Sequence, residues 1–197
     1  MYSLNDIIDV MEKKGYVVFS DDSKNFNLNI VGIRNEDETA NTFNDYMVIF
    51  WKYRGQWHQF AFSITTDPGV YWRENPINVN GTAILKPGQY RGMWQLGKHQ
   101  GKYEALKQVK PVTVYRDKNK NLVLDKGDEE TGLFGINHHR ATAKKDFTST
   151  QVDKWSAGCQ VQPNPVLFDL EMQMFKTAAS IWGNSFTYTL LEENDFK

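Results

Sequence analysis

Residues 46–66 read YMVIFWKYRGQWHQFAFSITT: two runs of aromatic and β-branched residues separated by the turn-like Tyr53–Gln56. Large flat or branched side chains fit a pleated, half-buried surface, so the stretch predicts a β-hairpin. An isolated hairpin is barely stable in water, which obliges the rest of the chain to supply partner strands. FNLNIVGIR (26–34), KPVTVYRD (110–117) and SFTYTLLE (185–192) have the same texture. TTDPG, NVNGT and LKPGQY punctuate the chain as turns or loops.

Two segments read as helices. SLNDIIDVMEKKG offers Ser3 as N-cap, Leu4, Ile7, Ile8 and Met11 at helical spacing, and Gly15 as stop. NPVLFDLEMQMFKTAASIW starts at a proline suited to a first helical turn, carries Leu167, Leu170, Met174, Ala178 and Ile181 on one face, and stops at Gly183. The expected fold is mainly β (α+β). It is one domain over 1–197, a sandwich or flattened barrel with a helical segment in 1–20 and, in 163–197, a helix followed by a strand that closes the sheet.

Charge excludes several roles. With 23 basic against 24 acidic residues and no basic cluster, nothing marks a nucleic-acid groove. No run approaches the roughly 20 apolar residues of a membrane-spanning helix, so no membrane insertion is expected. The N-terminus has no signal-peptide core, so the chain reads as made in the cytoplasm. A single cysteine rules out an internal disulfide and a cysteine-rich zinc site.

That cysteine lies in the segment richest in chemistry, GINHHRATAKKDFTSTQVDKWSAGCQVQP. A lone cysteine is ordinarily a small buried hydrophobe. Here Ala157 and Gly158 precede Cys159 and allow backbone N–H groups close to a developing oxyanion. His139, twenty positions upstream at the end of the strand-like GLFGINHH, is a base that can activate a thiol. Alternation along a strand puts His138 and His139 on opposite faces, so one of them belongs to the core or the far surface.

A histidine ending a strand, followed after a loop by Ser-x-Gly-Cys, resembles the L,D-transpeptidase catalytic domain, a β-rich cysteine acyltransferase of bacterial cell walls. The match is NHHR with SAGC, and LKPGQYRGMW also resembles a family segment through Lys86, Pro87, Gly88 and Tyr90. The resemblance spans roughly residues 45–162. It implies Cys159 as nucleophile, His139 as base, and Ser156 and Gly158 as the frame of the cysteine loop. It also implies that the Arg140 carbonyl orients the imidazole, and that backbone N–H groups of Cys159 with Gly158 or Ala157 hold the oxyanion. The implied substrates are peptidoglycan stem peptides, contacted by Arg140, Ala157 and Trp155, with no cofactor. Ala157 stands where the family has histidine, and Val161 where it has arginine or asparagine. These departures read as a divergent branch of the kind bacteriophages carry, reaching the wall by lysis or in a virion. The competing reading is an inactive phage structural or wall-binding protein of the same fold.

Other constellations have plainer readings. In DKNKNLVLDKGD, Asp117, Asn119, Asn121, Asp125 and Asp128 fall at positions 1, 3, 5, 9 and 12 of an EF-hand-like calcium loop. Leu122 replaces the turn glycine and the flanks look like strands, so a polar hairpin is expected, with a Ca²⁺-dependent binding module as the alternative. His58 and His99 lie far apart and no H-E-x-x-H is present, so no zinc site is expected. The aromatic run 49–62 reads as sheet core, and Lys98, Lys102, Lys107 and Lys110 as a solvated face.

Overall fold

In the computed structural model, which describes residues 2–37 and 41–197, the chain opens with α1 (Leu4–Lys13). The Ser3 hydroxyl accepts from the Asp6 N–H and the Asp6 carboxylate accepts from the Ser3 N–H, satisfying two donors that a helix start leaves orphaned. Next come β1 (Asn29–Arg34), β2 (Asp45–Tyr53) and β3 (Gln56–Ile64). Arg54 and Gly55, at φ 52° and 77°, make the left-handed turn whose twist suits a two-residue hairpin. Then follow α2 (Val70–Glu74), β4 (Thr82–Leu85), β5 (Gly88–His99), β6 (Tyr103–Gln108), β7 (Val112–Asp117), β8 (Glu129–Gly132), β9 (His138–Arg140) and β10 (Gln160–Gln162). The chain finishes with α3 (Pro165–Trp182), β11 (Phe186–Glu192) and a short 3₁₀ turn (Glu193–Phe196).

The architecture is mainly β, with one large, nearly closed barrel-like sheet. Its order is β10-β9-β6-β5-β11-β1-β2-β3, and an antiparallel bridge from Thr65, just past β3, to Val161 in β10 brings the two ends together. A second sheet, β4-β7-β8, stands beside it. Met47, Ile49, Phe62, Trp94, Leu106, Phe168, Phe175 and Tyr188 belong to the main core. On the opposite face α1 buries Ile7, Val10 and Met11 against Val31, Val48, Phe50 and Leu191. Strand β1 is covered on both faces, which is why NIVGI is nearly continuous apolar sequence instead of an alternating one.

Three details differ from the sequence expectation. β11 does not close the sheet: it lies centrally, parallel to β1 and antiparallel to β5, because Tyr188 and Leu190 on one face and Thr189 and Leu191 on the other are all buried. The core face of α3 is Phe168, Glu171, Met172, Phe175 and Ala178, with Met174. Leu167 and Leu170 are 39% and 41% exposed, since the larger aromatic side chains take the contact. The run 132–139 is not one strand, because Gly135 turns at φ 76° and only His138–Arg140 pair as β9. β5 and β6 form a hairpin through Gln100 and Gly101 (φ 49° and 73°), with Lys98, Lys102, Lys107 and Lys110 all exposed, as the solvated-face reading expects.

Candidate functional site

Strands β9 and β10 run parallel, with Gln160 opposite His138 and Val161 opposite His139. Alternation gives this short pair two very different faces. On the core face, His138 Nε2 is 2.8 Å from Glu171 Oε2 and His138 Nδ1 is 3.2 Å from the Gln160 carbonyl. Gln162 donates to Glu171 Oε1 at 2.7 Å, and Tyr188 donates to Gln160 Oε1 at 2.6 Å. His138, Gln160, Gln162 and Glu171 are fully buried. This is a closed polar network in which His138 has no access to a substrate.

The other face carries Cys159 and His139. Cys159 leads into β10 on a tight loop. The buried Ser156 hydroxyl donates to the Cys159 carbonyl at 2.8 Å and accepts from the Gly158 N–H at 3.1 Å. Gly158 has φ 118°, and a Cβ there would strike the Ala83 carbonyl, so the loop requires glycine. Ser156 and Gly158 therefore shape the loop that presents the thiol. The Gly158 N–H is consumed by Ser156, so it is not an oxyanion donor. Among the described residues the N–H groups of Ala157 and Cys159 have no acceptor, and those two remain.

The thiol is half-buried and donates to the Gly135 carbonyl at 3.2 Å. The Asn137 N–H favours its ionised form, but the crowding walls dominate and push the Cys159 pKa up to about 11. The broken strand at 133–137 thus has a purpose in the geometry: the turn at Gly135 aims one carbonyl and one N–H at sulfur.

His139 Nδ1 is 2.9 Å from the Arg140 carbonyl and 3.3 Å from Tyr103 Oη, while Tyr103 Oη donates to the same carbonyl at 3.2 Å. A carbonyl can only accept, so Nδ1 carries the proton and Nε2 keeps its lone pair. The ring stacks on His99 with centroids 3.9 Å apart, and His99 Nδ1 faces Asn137 Nδ2 at 3.2 Å. Burial first, then His99, lowers the His139 pKa to about 3. The resting pair is a neutral imidazole and a protonated thiol. No hydrogen bond joins Sγ to the His139 ring; the sulfur instead lies level with Asn137, two residues before His139.

Two adjoining clefts open on this face and share His99 and Gln100 along their walls. One, of about 500 Å³, contains Cys159 and Ala157 with Trp72, Phe134 and Asn137. The other, of about 410 Å³, contains His139 and Arg140 with Tyr103, Lys154 and Trp155. The Arg140 guanidinium lies 4.3 Å from the centre of the Tyr103 ring. Trp155 is 44% exposed at the rim.

Sequence reasoning brought Cys159, His139, Ser156, Gly158, Arg140, Ala157 and Trp155 to one region, and the structure gathers all seven there. It missed Tyr103 and His99, which stand at either side of the Gln100–Gly101 turn. The available signal was His-Gln-Gly-Lys between two alternating runs, a hairpin pattern that places both side chains at the strand ends. The Asp117–Asp128 stretch lies elsewhere, in the β7–β8 connection, and β7 and β8 pair antiparallel as the hairpin reading requires. No family model matches this chain, and no curated protein is similar to it in sequence.

Proposed function

We propose that the protein is a cysteine acyltransferase or peptidase of the L,D-transpeptidase type, acting on peptidoglycan stem peptides through a Cys159 acyl-enzyme. One observation carries the reading: His139 is locked by the Arg140 carbonyl in the tautomer that leaves Nε2 free, on the same face of the strand pair as the thiol. A structural histidine gains nothing from that arrangement, as His138 illustrates by directing both nitrogens to buried oxygens.

In the proposed reaction Nε2 takes the thiol proton as sulfur attacks the carbonyl carbon of an L,D-peptide bond. The N–H groups of Ala157 and Cys159 hold the oxyanion; losing one such donor costs about 2.7–4 kcal/mol in other enzymes. The C–N bond breaks, His139 returns the proton to the leaving amine, and a thioester remains. An acceptor amine or water, deprotonated by Nε2, then attacks the thioester, and sulfur recovers a proton as it leaves. Because both partners are neutral at rest, proton transfer accompanies attack instead of preceding it. The two clefts meeting at His99 suit a donor peptide on the cysteine side and an acceptor on the histidine side, with Arg140 beside a stem-peptide carboxylate. The nearly closed β sheet with its site at the β9–β10 edge fits the L,D-transpeptidase fold, in a phage-type branch that meets the wall after lysis or from a virion.

The test is mass spectrometry of the intact protein after incubation with muropeptides and, separately, a carbapenem. A covalent adduct on Cys159 that disappears in Cys159→Ala and slows strongly in His139→Ala, together with cut or exchanged stem peptides, supports the proposal. An inert thiol in the folded wild type, with no change in the muropeptides, overturns it in favour of a non-catalytic wall-binding protein.

A further inference from the structure

The connection between β7 and β8 holds a second feature, independent of the cysteine chemistry. Asp117, the last residue of β7, is 1% exposed, and its carboxylate oxygens have no well-aligned hydrogen bond; the N–H groups of Asp125 and Asn119 and the buried Arg73 guanidinium are the groups that favour its ionised form. A buried carboxylate with so few well-aligned partners is costly. The loop that buries it brings further oxygen donors to the same place. Asn119 and Asn121 both direct their side-chain amides to Asp125 Oδ2, the latter at 3.0 Å, and the Asp125 charge acts directly on Asp117. The left-handed turn that a glycine at position 6 would supply is made at Lys120 instead, at φ 60°. Arg73, buried beneath the loop, donates to the Leu122 carbonyl at 2.7 Å and fixes the loop's far side.

We propose that residues 117–125 bind a hard divalent cation, best matched by Ca²⁺, through the carboxylates of Asp117 and Asp125, the amide oxygens of Asn119 and Asn121, and the Val123 carbonyl. The spacing 1, 3, 5, 7, 9 is that of an oxygen-lined calcium loop, and calcium tolerates an irregular set of six to eight oxygens where magnesium demands an octahedron. Binding rotates the two asparagine amides so that oxygen faces the cation, at the expense of the bonds Asn119 Oδ1 accepts from the Asn121 N–H and Asn121 Oδ1 accepts from the Val123 N–H. Asp128, at position 12, is not a ligand: its side chain is 91% exposed and faces Lys118 at 3.8 Å. Among the described residues no three His, Cys, Asp or Glu side chains converge, so the site depends on its amides and on two carboxylates, one of which also feels the positive charge of Arg73. Affinity is therefore set in the weak range of extracellular calcium modules, about 10⁻⁴–10⁻³ M. Arg116, next to Asp117, lines the Cys159 cleft and donates to the Gly81 carbonyl at 3.2 Å, so a cation here braces that wall.

The test uses the full chain dialysed against chelator and titrated with CaCl₂ or MgCl₂ alone, read by calorimetry and by thermal melting. Ca²⁺ is expected to bind within that range and raise the melting midpoint by about 2–4 °C at saturation, with little response to Mg²⁺. Asn121→Asp, which adds a carboxylate at an exposed position, is expected to tighten binding about tenfold, because ligand charge sets affinity in such loops. Asp117→Asn and Asp125→Asn are expected to abolish the response and Asp128→Ala to retain it. Absence of binding heat and of a melting shift at about 10 mM Ca²⁺ in both wild type and Asn121→Asp, or a response that survives Asp117→Asn, overturns the assignment.

Discussion

His138 and His139 are neighbours in sequence, identical in chemistry and buried to nearly the same degree, yet they belong to different environments. His138 faces α3 and is saturated: both ring nitrogens meet oxygen, and its carboxylate partner Glu171 is itself held by Gln162. His139 faces the clefts, with one nitrogen fixed by a main-chain carbonyl and the other unspent. What separates them is the two-residue period of a strand, which turns a one-residue step into a change of side. Burial alone does not separate the two histidines. The accounting of their nitrogens does.

Exchanging the pair is the most direct way to break this comparison. His139→Ala is expected to slow Cys159 acylation by about 10²–10⁴-fold while costing about 1–2 kcal/mol of urea stability through the lost stacking on His99. His138→Ala leaves Glu171 without its imidazole partner in the core and is expected to cost about 3–5 kcal/mol in the same unfolding titration. Equal losses of stability in the two variants would erase the distinction.

A pH series sharpens it. The folded protein holds His139 near pKa 3, below the value of about 6.5 for an exposed histidine, so the unfolded chain takes up that proton first as pH falls. The resulting stability is fully present above pH 6.5 and is lost between about 6.5 and 3; His99, lowered mainly by burial, adds to the loss in the same direction. Urea midpoints measured across this range are expected to fall, and less steeply in His139→Ala. At the alkaline end, Cys159 keeps its proton to about pH 11, so its alkylation by iodoacetamide is expected to rise continuously from pH 7 to 10, with no plateau near 8.5.

The smallest effect belongs to Tyr103→Phe. It removes a hydroxyl that touches His139 and donates to the Arg140 carbonyl but leaves the Nδ1 contact to that carbonyl intact. Acylation is expected to fall less than tenfold and stability by about 0.5–1.5 kcal/mol. A loss as large as that of His139→Ala would mean that the tyrosine, not the carbonyl, fixes the imidazole.

Much of this molecule was legible in the chain because the relevant signals are local. The cap at Ser3, the Arg54–Gly55 hairpin, the start of α3 at Pro165 and its stop at Gly183 are each set within a few residues by backbone chemistry. The grouping of His139 with Ser156, Gly158 and Cys159 came from the resemblance to a family motif, and the structure places them in one region. The face that α3 buries was not legible, since Phe168 and Phe175 outcompete Leu167 and Leu170 only once a sheet is there to receive them. The central place of β11, the arrival of His99 and Tyr103 at the site, and the loss of the Gly158 N–H to Ser156 depend on contacts between segments far apart in sequence or on the exact course of a loop. Sequence by itself determined which reactive side chains the chain has to offer and which backbone turns are possible. Tertiary structure alone decided which side of each strand is wet, because that depends on what packs against it.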